Sequence, residues 1–323
     1  MGDYIGRKVA VGIGKETVRG TAVVATYWVR HLSLDFKRKG ELAQNESALG
    51  VREKVSDSEI TKVWAEGKLE GKVNHKSIGL ILLGAFGTVS SAANGTGAWT
   101  HTYTINQSNT PQSLTLSRKD GNTDRRHALA MIKSMEITVE AGEYVKFSCD
   151  IMSKKGIDTA NTVAYVTEYE FTSKHAYVKF ATAVAGLAAA TPSAVKSAKI
   201  SMDMGVDAYF ELGNTDPAEI HAMAVEITGE VVARHSDSSY EDMYFNNTSK
   251  AMLFGIKNTD VTFGTPAVSP SLEFTLEQAR VSDWDTSNDL DGIVEQTMGI
   301  SGEFSTATGK AITAVLVNDV ASY

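Results

Sequence analysis

The stretch Leu69-Glu70-Gly71-Lys72-Val73 returns, 158 positions later, as Ile227-Thr228-Gly229-Glu230-Val231. Both copies alternate apolar and polar side chains, the period-2 pattern of a strand with one buried face. Self-similarity at a fixed spacing indicates a duplicated unit. The same spacing carries Ser113-Leu114-Thr115 onto Ser271-Leu272-Glu273, with Pro111 and Pro270 shortly before. Upstream, Leu32-Ser33-Leu34-Asp35 resembles Ile200-Ser201-Met202-Asp203 at a spacing of 168, so one connection differs in length between the copies.

Outward from these pairs, period-2 alternation recurs at 113–117, 135–139, 144–148, 200–204, 224–232, 271–276 and 311–317. The protein is therefore expected to be mainly β. Helical spacing appears at 76–86 and at 238–256, where Met243, Tyr244, Leu253 and Phe254 recur, so each copy would add one helix over a sheet face. The reading is two tandem β-sandwich or barrel units, each with one flanking α-helix. The first spans 1–180, the second 197–323, and the small-residue stretch 181–196 links them.

The 323 residues suit about two domains. A hydrophobic content of 42% and a charged content of 22% exclude disorder and collagen. With 39 acidic against 31 basic side chains, the net charge of −8 argues against general attraction to a phosphate backbone. The copies differ in sign. Residues 1–196 hold 25 basic and 19 acidic side chains, whereas 197–323 hold 6 and 20. Arg118, Lys119, Arg125 and Arg126 follow one strand of the first copy; Asp283, Asp285, Asp289 and Asp291 follow its counterpart in the second. This contrast is either solvated surface or complementarity between neighbouring chains.

Catalytic spacing is largely missing. Gly12-Ile13-Gly14 lacks the third glycine of a dinucleotide loop, and neither GxxxxGK[ST] nor GxSxG occurs. The seven histidines are scattered without metal-ligand spacing, so no metal or cofactor is expected. Asp283-x-Asp285-x-Ser287 resembles a calcium loop faintly, but Asn288 stands where glycine belongs and Val294 where glutamate belongs. The single cysteine, Cys149, lies in an alternating run and reads as a packed thiol in a cytosolic folding environment. The N-terminus lacks the pattern of a signal peptide. The longest apolar stretch, 78–86, is far short of the about 20 residues of a membrane span, so no membrane contact is expected.

The polar stretch 36–65 is too long for an ordinary connection. Its apolar side chains Leu42, Leu49, Val51, Val55, Ile60 and Val63 suit an extended arm docking on another subunit; a hairpin without a partner is the alternative.

In this setting, Gly12-Ile13-Gly14-Lys15-Glu16-Thr17 with Gly20-Thr21-Ala22 and Trp28 resembles the N-terminal pattern of the major tail tube proteins of long-tailed, siphovirus-type phages. The long loop ending in Val63-Trp64-Ala65-Glu66-Gly67-Lys68-Leu69-Glu70-Gly71, and the helix at 78–86 closed by Gly87, continue the resemblance, here in duplicated form. It implies a structural virion protein, not an enzyme, whose sheets join neighbours into a β-barrel ring. Stacked rings would form the hollow tail tube through which DNA passes on ejection. It also implies that the arm at 36–65 reaches adjacent subunits. Two units per chain would let three chains close a ring of pseudo-sixfold symmetry, a helical homo-oligomer of trimers. Implied partners are further copies of the chain, a tape-measure protein, a terminator and a distal tail protein, with DNA passing transiently. The implied location is the virion, after assembly in the host cytoplasm. Acids on the alternating strands of the second copy, Asp203, Asp207, Glu226 and Glu230, would face the lumen, since basic walls would hold phosphates. A tail-terminator or completion ring protein is the alternative, and a sugar-binding or enzymatic β-sandwich the remaining one.

Overall fold

A computed structural model describes residues 5–108, 110–287, 290 and 292–323. Its first half carries β1 (Ala10–Lys15), β2 (Tyr27–Val29), β3 (His31–Asn45), β4 (Asp57–Lys72), helix α1 (Ile78–Phe86), β5 (Gly87–Ala93), β6 (Trp99–Ile105), β7 (Leu114–Lys119), β8 (Arg125–Glu140), β9 (Lys146–Ser153) and β10 (Ile157–Asp158). Its second half carries β11 (Ala176–Ala181), β12 (Val195–Asp203), β13 (Asp207–Tyr209), β14 (Glu219–His221), β15 (Glu226–Arg234), α2 (Ser239–Phe245), β16 (Ser249–Lys257), β17 (Ser271–Thr286), β18 (Glu295–Glu303) and β19 (Ile312–Asn318).

Pairing makes the duplication explicit. One antiparallel sheet runs β3-β4-β9-β8-β12-β15-β18-β17, the first four strands from one half and the last four from the other. The motif pairs fall in register: Leu34 sits opposite Leu69, and Met202 opposite Ile227. A second sheet in each half begins on the opening segment of the long strand, as β2-β1-β7-β8-β10 and as β11-β16-β17-β19-β6-β5. Hence β7 corresponds to β16 and β8 to β17. The resemblance of 113–115 to 271–273 is thus no structural equivalence, because Ser271 opens β17 whereas Leu114 opens β7. Any two half-buried strands share period 2, so alternation cannot distinguish one strand from its neighbour.

Two further expectations are revised by the pairing. Residues 238–256 do not form one helix: α2 ends at Phe245, Asn247 takes a left-handed φ of 50°, and β16 follows. The run Ala251-Met252-Leu253-Phe254-Gly255-Ile256 is buried between β11 and β17, and continuous apolar runs of this length suit a helix or a central strand equally. The strand β11, assigned from sequence to the first unit, pairs with β16 of the second, and β12 begins within the stretch read as a linker.

The two layers enclose one continuous apolar core from Val11 to Tyr323. All nine residues of α1 are buried, in keeping with a helix apolar on every side. Gly87, at φ 79°, ends α1 in the left-handed region that an L side chain disfavours. The glycines of the opening motif allow close approach: a Cβ on Gly12 would lie 2.9 Å from the Trp28 ring, and one on Gly14 2.5 Å from the Val24 carbonyl. Glu16, buried at 3% exposure, ties that motif to the second sheet. It accepts hydrogen bonds from Gly20 N, Ser113 Oγ, Thr115 Oγ1 and Leu129 N.

Candidate functional site

The long sheet buries one face and offers the other to solvent. On the buried face lie Leu69, Cys149, Ile151, Met135, Ile137, Ile200, Met202, Ile227, Val231, Met298 and Ile300. The alternate positions form the opposite face, as period 2 demands. There β4 places Lys68, Glu70 and Lys72, β9 places Lys146, Ser148 and Asp150, and β8 places Glu136, Thr138 and Glu140. Across the junction β12 adds Lys199, Ser201 and Asp203, β15 adds Glu226, Thr228 and Glu230, and β18 adds Glu295, Thr297 and Ser301. Over these strands a sheet spanning both halves thus shows a largely polar surface.

Charge on this surface is partly paired. Lys68 stands opposite Asp150, Lys199 opposite Glu230, and Lys196 binds Glu295 at 2.8 Å. Asp203 and Glu226 stand directly opposite each other, an arrangement that costs rather than stabilises because like charges repel across a ladder. Of the four acids expected together, Asp203, Glu226 and Glu230 share this face. Asp207 does not: it lies on the separate ribbon of β13 and β14.

The segment 36–65 is not an irregular loop. β3 and β4 form one long hairpin whose register runs from His31 opposite Gly71 to Asn45 opposite Asp57. Leu42, Leu49, Val51, Val55 and Ile60 are 41–67% exposed along its distal part. Val63 is half-buried, and its N–H donates to the Thr215 carbonyl at 2.8 Å. Trp64 meets Phe210 edge-on with centroids 6.0 Å apart, so the 210–215 segment braces the base of the hairpin while its tip stands free.

The basic quartet is mostly engaged within the chain. Lys119 binds Asp124 at 3.1 Å, Arg125 binds Asp158 at 2.8 Å, and Arg126 donates to the Asn161 Oδ1 at 2.9 Å. Arg118 donates to the Phe36 carbonyl and lies 3.5 Å from Asp120, but its Nε is buried without a partner among the described residues. Asp283 and Asp285 are exposed on β17, whereas Asp289 and Asp291 lie outside the described residues. The calcium-like loop that contains them is therefore not described as a whole.

Other chemistry-bearing groups serve packing. The Cys149 thiol is buried and donates to the Leu69 carbonyl, and burial pushes its pKa far up, which keeps it protonated. Among the described residues no three His, Cys, Asp or Glu side chains converge as a metal site. Desolvation holds His75 and His127 down to about 4, so both are neutral at ordinary pH. His75 stacks near Tyr169 and Phe263, and His127 meets Phe36 edge-on.

Sequence reading missed two features. Glu16 was quoted only within a motif, although a carboxylate among glycines and threonines is a recognisable local clamp. Arg7 and Arg30, which no sequence pattern marks as a site, stand with Arg118 around a groove of about 690 Å³ beside β3. Only folding brings positions 7, 30 and 118 together.

A family profile described as "Phage tail tube protein" matches residues 6–311, nearly the whole chain. No curated protein matches. A solved structure, the SPP1 tail tube determined by solid-state NMR and cryo-electron microscopy, is similar at 16% identity with a TM-score of 0.31, covering 41% of this chain and 74% of that one.

Proposed function

Because this chain belongs to the phage tail tube protein family, whose members are structural rather than enzymatic, we propose that it polymerises into stacked rings enclosing a channel for DNA. The observation that carries the reading is the junction of β8 with β12. There two pseudo-equivalent half-sheets join edge to edge within one chain, leaving β3 at one end and the far part of β17 at the other without a further paired strand. Unpaired edges template further pairing, and closing them into a ring removes them. Three chains, each with two units, would close such a ring with pseudo-sixfold symmetry, and axial stacking would extend it into a tube.

In this arrangement the polar face of the long sheet lines the channel. The pairing of Asp203 against Glu226 supports that placement, since a repulsive pair is tolerated where a weakly phosphate-binding wall is useful. The hairpin of β3 and β4, with its exposed apolar side chains, reaches toward an adjacent ring. Terminator, tape-measure and distal tail proteins would meet the tube at its ends and interior, and the particle would assemble in the host cytoplasm.

Negative-stain microscopy of the purified protein tests the reading. Long tubes support it, discrete rings favour a terminator or completion role, and a monomer at every concentration overturns both. Native mass spectrometry of a released ring counts its subunits: about 104 kDa for three chains of 34.7 kDa, twice that for six.

A further inference from the structure

We propose that the ribbon of β13 and β14 is a splint: it is the second half's counterpart of the long hairpin, turned back so that it fixes the direction in which the first half's hairpin projects. The inference rests on the reading in which that hairpin meets another copy, and it adds which part of the same chain sets the hairpin in place. The duplication makes the two segments equivalent. The pairs Leu34–Leu69 and Met202–Ile227 occupy the same place in the two halves. Beyond the first pair the chain continues as the hairpin, 35–68; beyond the second it continues as 203–226, which holds the ribbon. The first connection runs outward and is exposed from Lys37 to Asn45, whereas in the second Val206, Pro217 and Ile220 are buried.

The ribbon touches three separate pieces of the first half. Arg19, in the connection after β1, donates to Glu219 Oε1 at 3.0 Å and to the Ile220 carbonyl at 2.8 Å. Lys155, after β9, pairs with Asp216 at 3.0 Å. On the hairpin itself, Val63 N–H donates to the Thr215 carbonyl, Trp64 meets the Phe210 ring, and the Lys62 ammonium lies 5.5 Å from the centre of that ring. Two of these anchors tie the ribbon to the body, and the third ties the hairpin to the ribbon.

The third anchor grips where other support runs out. Phe36 is the last buried side chain of β3, and along β4 burial fades from Ala65 through half-buried 62–64 to exposed 57–61. Opposite Phe36 stands Gly67, where a Cβ would lie 1.8 Å from the Asp35 carbonyl. The hairpin thus leaves the core over a residue without a side chain, and the ribbon supplies the next contact, at 62–64. Two strands alone make a marginally stable hairpin. One whose base is held presents its exposed apolar side chains already oriented, so less freedom is lost when they dock.

Releasing the splint in the full-length chain tests this. Nitroxide labels on Ser47→Cys, at the exposed tip, and Glu140→Cys, on the body, report the hairpin's direction in the dispersed chain, while the buried Cys149 stays unlabelled. One narrow distance population is expected, and Phe210→Ala with Asp216→Ala should broaden it at least about twofold. Without labels, the same two changes should raise the concentration for half-assembly roughly tenfold, because the freedom the hairpin regains must be lost again on docking. Adding Val63→Cys with Thr215→Cys, at the backbone hydrogen bond between hairpin and ribbon, should restore most of the assembly once that pair is oxidised. A distance population as narrow in the released variant as in the unaltered chain overturns the proposal. So does a broadened one with unchanged assembly, or with no recovery on oxidation; in these cases the tube reading stands. If the unaltered chain forms neither tubes nor rings, the tube reading fails, and the distances still judge the splint. Should the released variant not fold, hydrogen exchange on the unaltered dispersed chain decides. Amides at 62–64 should then exchange at least about tenfold more slowly than those at 57–60, and equal rates along the hairpin overturn the splint.

Discussion

Glu16→Gln is the most informative single change, because it swaps one oxygen for an NH2 group and leaves the size of the side chain unaltered. Oε1 accepts Leu129 N at 2.8 Å and Thr115 Oγ1 at 3.0 Å; Oε2 accepts Gly20 N at 2.7 Å and Ser113 Oγ at 2.6 Å. The hydroxyls of Ser113 and Thr115 can rotate to accept, but the two backbone N–H groups cannot. Whichever way the new amide turns, its NH2 faces a backbone donor, Leu129 or Gly20, and one buried N–H loses its acceptor. That orphan costs about 1–3 kcal/mol, and Leu129 aggravates it, since its left-handed φ of 55° depends on the same bond. Glu16→Ala leaves both N–H groups unmet and should cost about 3–5 kcal/mol. Chemical denaturation of the dispersed chain measures both values. For a chain of 323 residues the thermal midpoint should fall by about 1–2 °C for each kcal/mol. A Gln variant within 0.5 kcal/mol of the unaltered protein, or as unstable as the Ala variant, would refute the clamp.

Three further outcomes follow from the same geometry. Replacing 46–56 by a two-residue Asn-Gly turn should leave the thermal midpoint almost unchanged, because that tip is exposed, yet abolish tube formation in the microscope. Asp203→Asn should raise stability by about 0.2–1 kcal/mol by relieving the repulsion from Glu226; a loss in denaturant titration would contradict the pairing. His75 and His127 are held neutral down to about 4, chiefly by burial, while unfolded histidine takes up a proton near 6.5. The unfolded state therefore binds more protons between those values, so stability should fall as pH drops from about 6.5 to 4, and His127→Gln should make the fall shallower.

Strand content, the duplication and the helix at 78–86 were all legible in the sequence, because buried faces impose local periods on neighbouring residues: two for strands, near 3.6 for helices. Leu34 and Leu69, with Met202 and Ile227, could be matched by pattern alone. The opening glycine motif was legible only as a family resemblance; the close backbone approach that requires its glycines is a tertiary contact. What only the tertiary structure decided is which strands pair and across which edges. The matching of Leu114 to Leu272 failed because a period carries no information about neighbours, and residues 249–257 changed from helix to strand because β11 and β17 flank them. The polar face combining Asp203, Glu226 and Glu230 without Asp207, and the arginine groove drawn from positions 7, 30 and 118, arise from contacts distant along the chain. Such contacts are set by packing and ladder register, which no local pattern encodes.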